Sequence, residues 1–136
     1  MIQRIQTLWL LLASICAFAS VKLPFYFGSL EIPGPTITIT PYDHFMLLVF
    51  VIATGLVALI NIFLYSNRSL QIKISVVGLL LGIVNLMHYF LYMRGFKTGG
   101  LSLYSILSFL VPVFFILSII GMYKDQKLLK SLDRLR

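Results

Sequence analysis

Two stripes of polar side chains run through the apolar part of this chain, and their residue types and spacing come nearest to chemistry. At 100° per residue, Gln71, Ser75, Gly78, Gly82, Asn85, Tyr89 and Tyr92 share one helical face, and Thr54, Ala58, Asn61 and Tyr65 share another. Polar groups in an apolar span are costly, so they either join helices or line a cavity or path. Gly78 and Gly82 form a small-xxx-small pair that lets helix backbones approach closely. Asn61 and Asn85 can then bond across helices for about 0.5–2 kcal/mol each. Helix packing is the preferred reading and a cavity the alternative. An ion or proton path needs an ionisable group at mid-depth, and no Asp, Glu, Lys or Arg lies there.

His88 is the one ionisable group inside a span and away from its ends. An imidazole can ligate haem iron or relay a proton, which makes His88 a weak cofactor candidate. It has no evident second ligand, so no cofactor and no metal are expected. His44, beside Asp43 at an exposed helix start, reads as a surface residue. The chain carries no Gly-x-Ser-x-Gly, no His-Glu-x-x-His, no phosphate-cradling glycine loop and no paired carboxylates, so no catalytic residue is assigned and an enzyme is not expected. A small multidrug exporter would want a carboxylate in its first span, and there is none. The single Cys16 forms no intrachain disulfide and excludes a quinone-linked disulfide oxidase, which needs several cysteines. The bulky Ile15 before it argues against a lipoprotein.

These residues sit on elements that the composition makes plain. Of 136 residues, 60% are hydrophobic and only 11% charged, where a soluble domain carries about a quarter charged. Four apolar stretches, at about 5–21, 43–65, 70–93 and 101–123, each approach the roughly 20 residues that cross a bilayer as a helix. They leave no room for a second domain, so residues 1–136 read as one membrane unit. With four spans and a cytoplasmic N-terminus, Arg4, Arg68, Lys73, Lys124, Lys127, Lys130, Arg134 and Arg136 fall inside, against Lys22, Arg94 and Lys97 outside. That bias places both termini in the cytoplasm. The first stretch also has signal-peptide features, Arg4 and Ala17-Phe18-Ala19, whose cleavage would leave three spans.

The connections differ in kind. Residues 22–42 form the one long connection, and Thr36–Thr40 alternates with β-branched side chains throughout, which predicts a strand. Leu23–Ile32 can pair with it across Pro33-Gly34-Pro35, giving a small outer hairpin. Thr40, Pro41 and Asp43 read as a capping box starting the second span. Tyr65–Arg68 makes a tight turn into the third span, and Lys97-Thr98-Gly99-Gly100 reads as the turn before the fourth. Pro112 removes one hydrogen bond mid-span and should kink the helix, with Ser108 placed to satisfy the freed carbonyl. Beyond Tyr123, residues 124–136 read as a basic amphipathic helix with Leu128, Leu132 and Leu135 on one face. Lys124, Lys127, Lys130, Arg134 and Arg136, with Arg68 and Lys73, would meet anionic headgroups or a partner. The tail has no aromatic residue for base stacking, so nucleic acid is not expected.

Three segments, Met1–Ala13, Asn61–Lys73 and Lys124–Arg136, resemble a family of small four-span inner-membrane proteins of Bacteroidota that carry a domain of unknown function. The resemblance covers essentially the whole chain. It implies a bacterial inner-membrane location and brings no activity, substrate or catalytic residue. The expectation is therefore an all-α four-transmembrane-helix bundle with a small extracytoplasmic β-hairpin between the first two helices and a basic C-terminal helix. Its expected role is a non-enzymatic accessory or scaffold subunit, partnered by another membrane protein or by its own copies. The alternatives are a small oligomeric transporter or channel using the polar stripes and, more weakly, a haem- or quinone-associated redox subunit.

Overall fold

The computed structural model describes residues 3–133. In chain order these form helix α1 (Gln3–Ser20), strands β1 (Tyr26–Ser29) and β2 (Ile37–Ile39), and a 3-10 turn at Pro41–Asp43. Helices α2 (Phe45–Phe63) and α3 (Arg68–Met93), strand β3 (Thr98–Leu101) and helix α4 (Ser105–Asp133) follow. By length and composition α2, α3 and α4 can each cross a membrane. The apolar part of α1, Ile5–Ser20, is shorter. Each helix packs against its sequence neighbours, and α1 against α4 closes the ring. Large apolar side chains such as Leu80, Phe63 and Ile106 point away from the bundle, as lipid-facing residues do.

Small residues set the spacing inside. Ala13 and Ala17 of α1 and Ala58 of α2 lie in one buried cluster with Leu10, Val111, Phe115 and Met122. Ser14 donates to the Gly55 carbonyl of α2 at 3.3 Å, a contact that needs backbones close together. The two stripe glycines differ. A methyl group at Gly78 would fall inside the ring of Phe115, which is fully buried. One at Gly82 would meet nothing nearer than Val111 at 3.7 Å, ordinary contact distance.

The three strands form one antiparallel sheet, ordered β2-β1-β3. The hairpin pairs Tyr26 with Ile39 and Gly28 with Ile37. The expected turn at residues 97–100 is instead mostly strand. β3 pairs with β1 from Ser29–Thr98 to Tyr26–Leu101, so the two-stranded hairpin gains a third strand from the α3–α4 connection. Gly28 faces Gly99, and a Cβ on either would strike backbone across the pair, at Thr98 and Phe27 respectively. The glycines that suggested a turn are there to let strands approach.

Other boundaries move as well. α4 begins at Ser105, because Leu101 belongs to β3, and runs unbroken through Pro112. The basic segment is thus not a separate helix but the continuation of α4 to Asp133. Thr40 does not cap α2. Its hydroxyl bonds the Asp43 side chain within the 3-10 turn, and α2 starts at Phe45 after His44. The second helix ends at Phe63, and the third begins with Asn67 as its cap, accepting from the Leu70 N–H at 3.4 Å. Leu135, Arg134 and Arg136 lie outside the described residues, as do the side chains of Arg4 and Leu132.

Gly78→Ala should therefore destabilise the bundle by about 1–3 kcal/mol through overpacking, while Gly82→Ala should cost under about 1 kcal/mol or be neutral. Reversible unfolding of both variants in mixed detergent checks the difference, and equal effects would contradict the assigned packing.

Candidate functional site

Polar side chains inside the bundle gather at three levels. At the level farthest from the sheet, Asp125 of α4 is 6% exposed. Its carboxylate accepts a short hydrogen bond from Gln6 Nε2 of α1. It also lies 3.9 Å from the Arg68 guanidinium at the start of α3. One carboxylate thus holds three helices, and Gly121, one turn before it, leaves room for the Gln6 side chain at 2.9 Å from a would-be Cβ. The sequence reading did not single out Asp125, since an acid among lysines looks like a solvated face.

One level in, α2 and α3 are joined. Asn61 Nδ2 donates to Ser75 Oγ at 2.6 Å, and Gln71 Nε2 donates to the Asn61 carbonyl at 3.2 Å. The Asn61 carbonyl, in the last turn of α2, also accepts from the Leu64 N–H at 3.3 Å, so the Gln71 bond takes its second lone pair. Asn61 Oδ1 is left without a partner.

Toward the sheet, a pocket of about 10 Å3 opens where the four helices meet, with Ser20 of α1, Thr54 of α2, Asn85 of α3 and Ser108 of α4 in its wall. The Ser20 and Thr54 hydroxyls donate to the Ala17 and Phe50 carbonyls, each at 2.7 Å. Asn85 Oδ1 and the Tyr89 hydroxyl have no hydrogen-bond partner, and Ser108 stands beside the latter outside bonding geometry. A buried unpaired polar atom costs about 1–3 kcal/mol.

Aromatic rings close the bundle toward the sheet. Phe25 stacks on Tyr89 with ring centres 3.8 Å apart and meets Phe109 at 5.7 Å. Its backbone is bonded on both sides, N–H to the Ile39 carbonyl at 2.8 Å and carbonyl from the Ser102 N–H at 3.0 Å. Phe25 therefore fixes the sheet on the bundle while its ring fills the bundle's mouth.

The expected site residues fall into three groups. Thr54, Ala58, Asn61, Ser75, Gly78, Gly82, Asn85 and Tyr89 are all buried, on the inward sides of α2 and α3. Tyr65 and Tyr92, at the stripe ends, are exposed. Of the basic residues, Lys73, Lys124, Lys127 and Lys130 are exposed, whereas Arg68 is mostly buried and committed to Asp125. His88 is half-buried against the Phe50 ring at 4.9 Å, with Nδ1 2.9 Å from the Val84 carbonyl. Because a carbonyl only accepts, Nδ1 is the donor in that contact. His44 stacks on Tyr92 at 4.4 Å, on the same α2–α3 seam. Among the described residues no three His, Cys, Asp or Glu side chains gather as a metal site would need. Ser14, Ser20 and Ser118 are also buried, on faces of α1 and α4 whose buried residues recur every three or four positions.

Apolar spanning helices, a bundle joined by internal polar contacts and a small sheet over one end define an integral membrane protein. Over residues 2–135 the chain matches the family described as "Domain of unknown function (DUF4293)", and it belongs to that family. No curated protein and no solved structure matches it.

The Gln6–Asp125 contact should show in a double-mutant cycle. Gln6→Ala and Asp125→Ala should each destabilise, and their coupling energy should reach about 1.5–3 kcal/mol, as for a hydrogen bond to a charged group. Additive effects in unfolding measurements would remove the clamp from the account.

Proposed function

We propose that the chain is a four-span, non-enzymatic subunit of an inner-membrane assembly, with both termini cytoplasmic and the sheet on the outer side. What carries the reading is the closed interior. The gap on the polar stripe has room for about one water, and the Ser20 and Thr54 hydroxyls beside it are spent on carbonyls of their own helices. Function then falls to the ends.

Length supports four spans and locates the basic end. α1 runs along α4 from Gln6 beside Asp125 to Trp9 stacked on Phe114 at 5.8 Å and on to Ala17 in the shared core, so it covers the same depth as its longer partner. With Ser105 at one boundary, 1.5 Å per residue brings α4 to Asp125 after about 30 Å, the thickness of the hydrocarbon core. Lys127 and Lys130 then lie beyond it, with exposed Leu128 and Leu129 between them. Such a helix end meets anionic headgroups at its base and a membrane-protein partner farther out. The excess of cations at this end favours a cytoplasmic placement.

Two experiments test this. A periplasm-active reporter inserted at Gly34 should be active and one at the C-terminus inactive; the reverse pattern inverts the topology. A mild-detergent pull-down from native membranes should yield a stoichiometric partner that is lost when Lys124, Lys127, Lys130, Arg134 and Arg136 become alanine. Recovery only as a homo-oligomer, with solute flux in liposomes abolished by Asn85→Leu, would replace the docking role with transport.

A further inference from the structure

The pocket between the four helices is lined by polar groups that are only partly paired. Ser20 and Thr54 spend their hydroxyl protons on the Ala17 and Phe50 carbonyls, leaving only lone pairs for a further neighbour. Asn85 Oδ1 is an acceptor with no partner, on a side chain 8% exposed. Pro112 has no N–H to give the Ser108 carbonyl one turn earlier. Polar residues of all four helices thus line a gap of about 10 Å3, near the least space a single water needs.

We infer that this pocket is a binding site for one water molecule. The water donates to Asn85 Oδ1 and to the Thr54 or Ser20 oxygen, and accepts from the Ser108 hydroxyl, joining the helices in the half of the bundle nearer the sheet. A monovalent cation matches the size but not the chemistry. The wall offers only a few neutral side-chain oxygens and no carboxylate, too few to replace the hydration shell a cation gives up. Asn85 thereby differs from Asn61, whose amide already bonds directly across the α2–α3 hairpin. The water needs no partner protein, so it stands or falls separately from the docking role.

A crystal structure of the full chain grown in a lipid phase, at a resolution that shows waters, is the direct test. One density peak within about 3.2 Å of Asn85 Oδ1 and of a second wall oxygen is expected. An empty pocket, or one filled by a rotated side chain, overturns the inference. In lipid nanodiscs, the Asn85 side-chain amide should show a cross-relaxation signal to a long-lived water, lost in Asn85→Leu while the remaining amide spectrum keeps its dispersion. If Asn85→Leu does not fold, the wild-type density and signal still decide. Replacing sodium with choline at equal ionic strength should leave the melting temperature unchanged, and a rise of several degrees specific to sodium would assign the site to a cation instead.

Discussion

A chain surrounded by hydrocarbon has no solvent to satisfy its polar groups, and every other feature of this protein answers to that constraint. The helices take care of their own backbones, except at their ends and at Pro112. What remains is a set of side chains that must find partners within the bundle. They do so across helices: Gln6 to Asp125, Asn61 to Ser75, Gln71 to the end of α2, and Ser14 to the Gly55 carbonyl. Hydrophobic burial gives little preference between lipid and protein neighbours in such a setting, so these contacts and close packing of small residues fix which helix faces which.

The two ends of the bundle are secured by different physics. Toward the sheet the lock is aromatic and apolar, with Phe25 inserted among Tyr89 and Phe109 and its backbone held by β2 and the segment after β3. At the other end the lock is ionic. Asp125 is tolerated at 6% exposure only because Gln6 and Arg68 reach it, and removing one partner of a buried charge costs more than the pair contributes. A bundle locked at both ends is stiff, which suits a part that presents surfaces better than one that must open.

How much of this the sequence discloses depends on the range of the interaction. The α3 stripe from Gln71 to Tyr89 is legible because burial on one helix face repeats every 3.6 residues, and each of those stripe residues is buried. The hairpin is legible from alternation in residues 36–40. β3 was hidden because Gly99 and Gly100 signal a turn to any local reading, while their purpose, letting β1 approach, involves Gly28 some seventy residues earlier. Asp125 was hidden for the same reason, its main partner lying 119 positions away. The difference between Gly78 and Gly82 has no local signal at all, since it rests on where the Phe115 ring lands.

The clamp at Asp125 also bears on the basic end. It sits where α4 leaves the cover of α1 and α3, and past it the exposed lysines and leucines project on a helix continuous with the bundle. A flexible basic tail would lose conformational entropy on docking, about 1–2 kcal/mol for each residue ordered. A helix already formed and anchored by an ion pair avoids most of that cost and holds its charges at fixed spacing. In the proposed docking role, the acid within the lysine run thus helps to hold the lysines in place. It neutralises no neighbour on its own face, and it sets the direction in which they point.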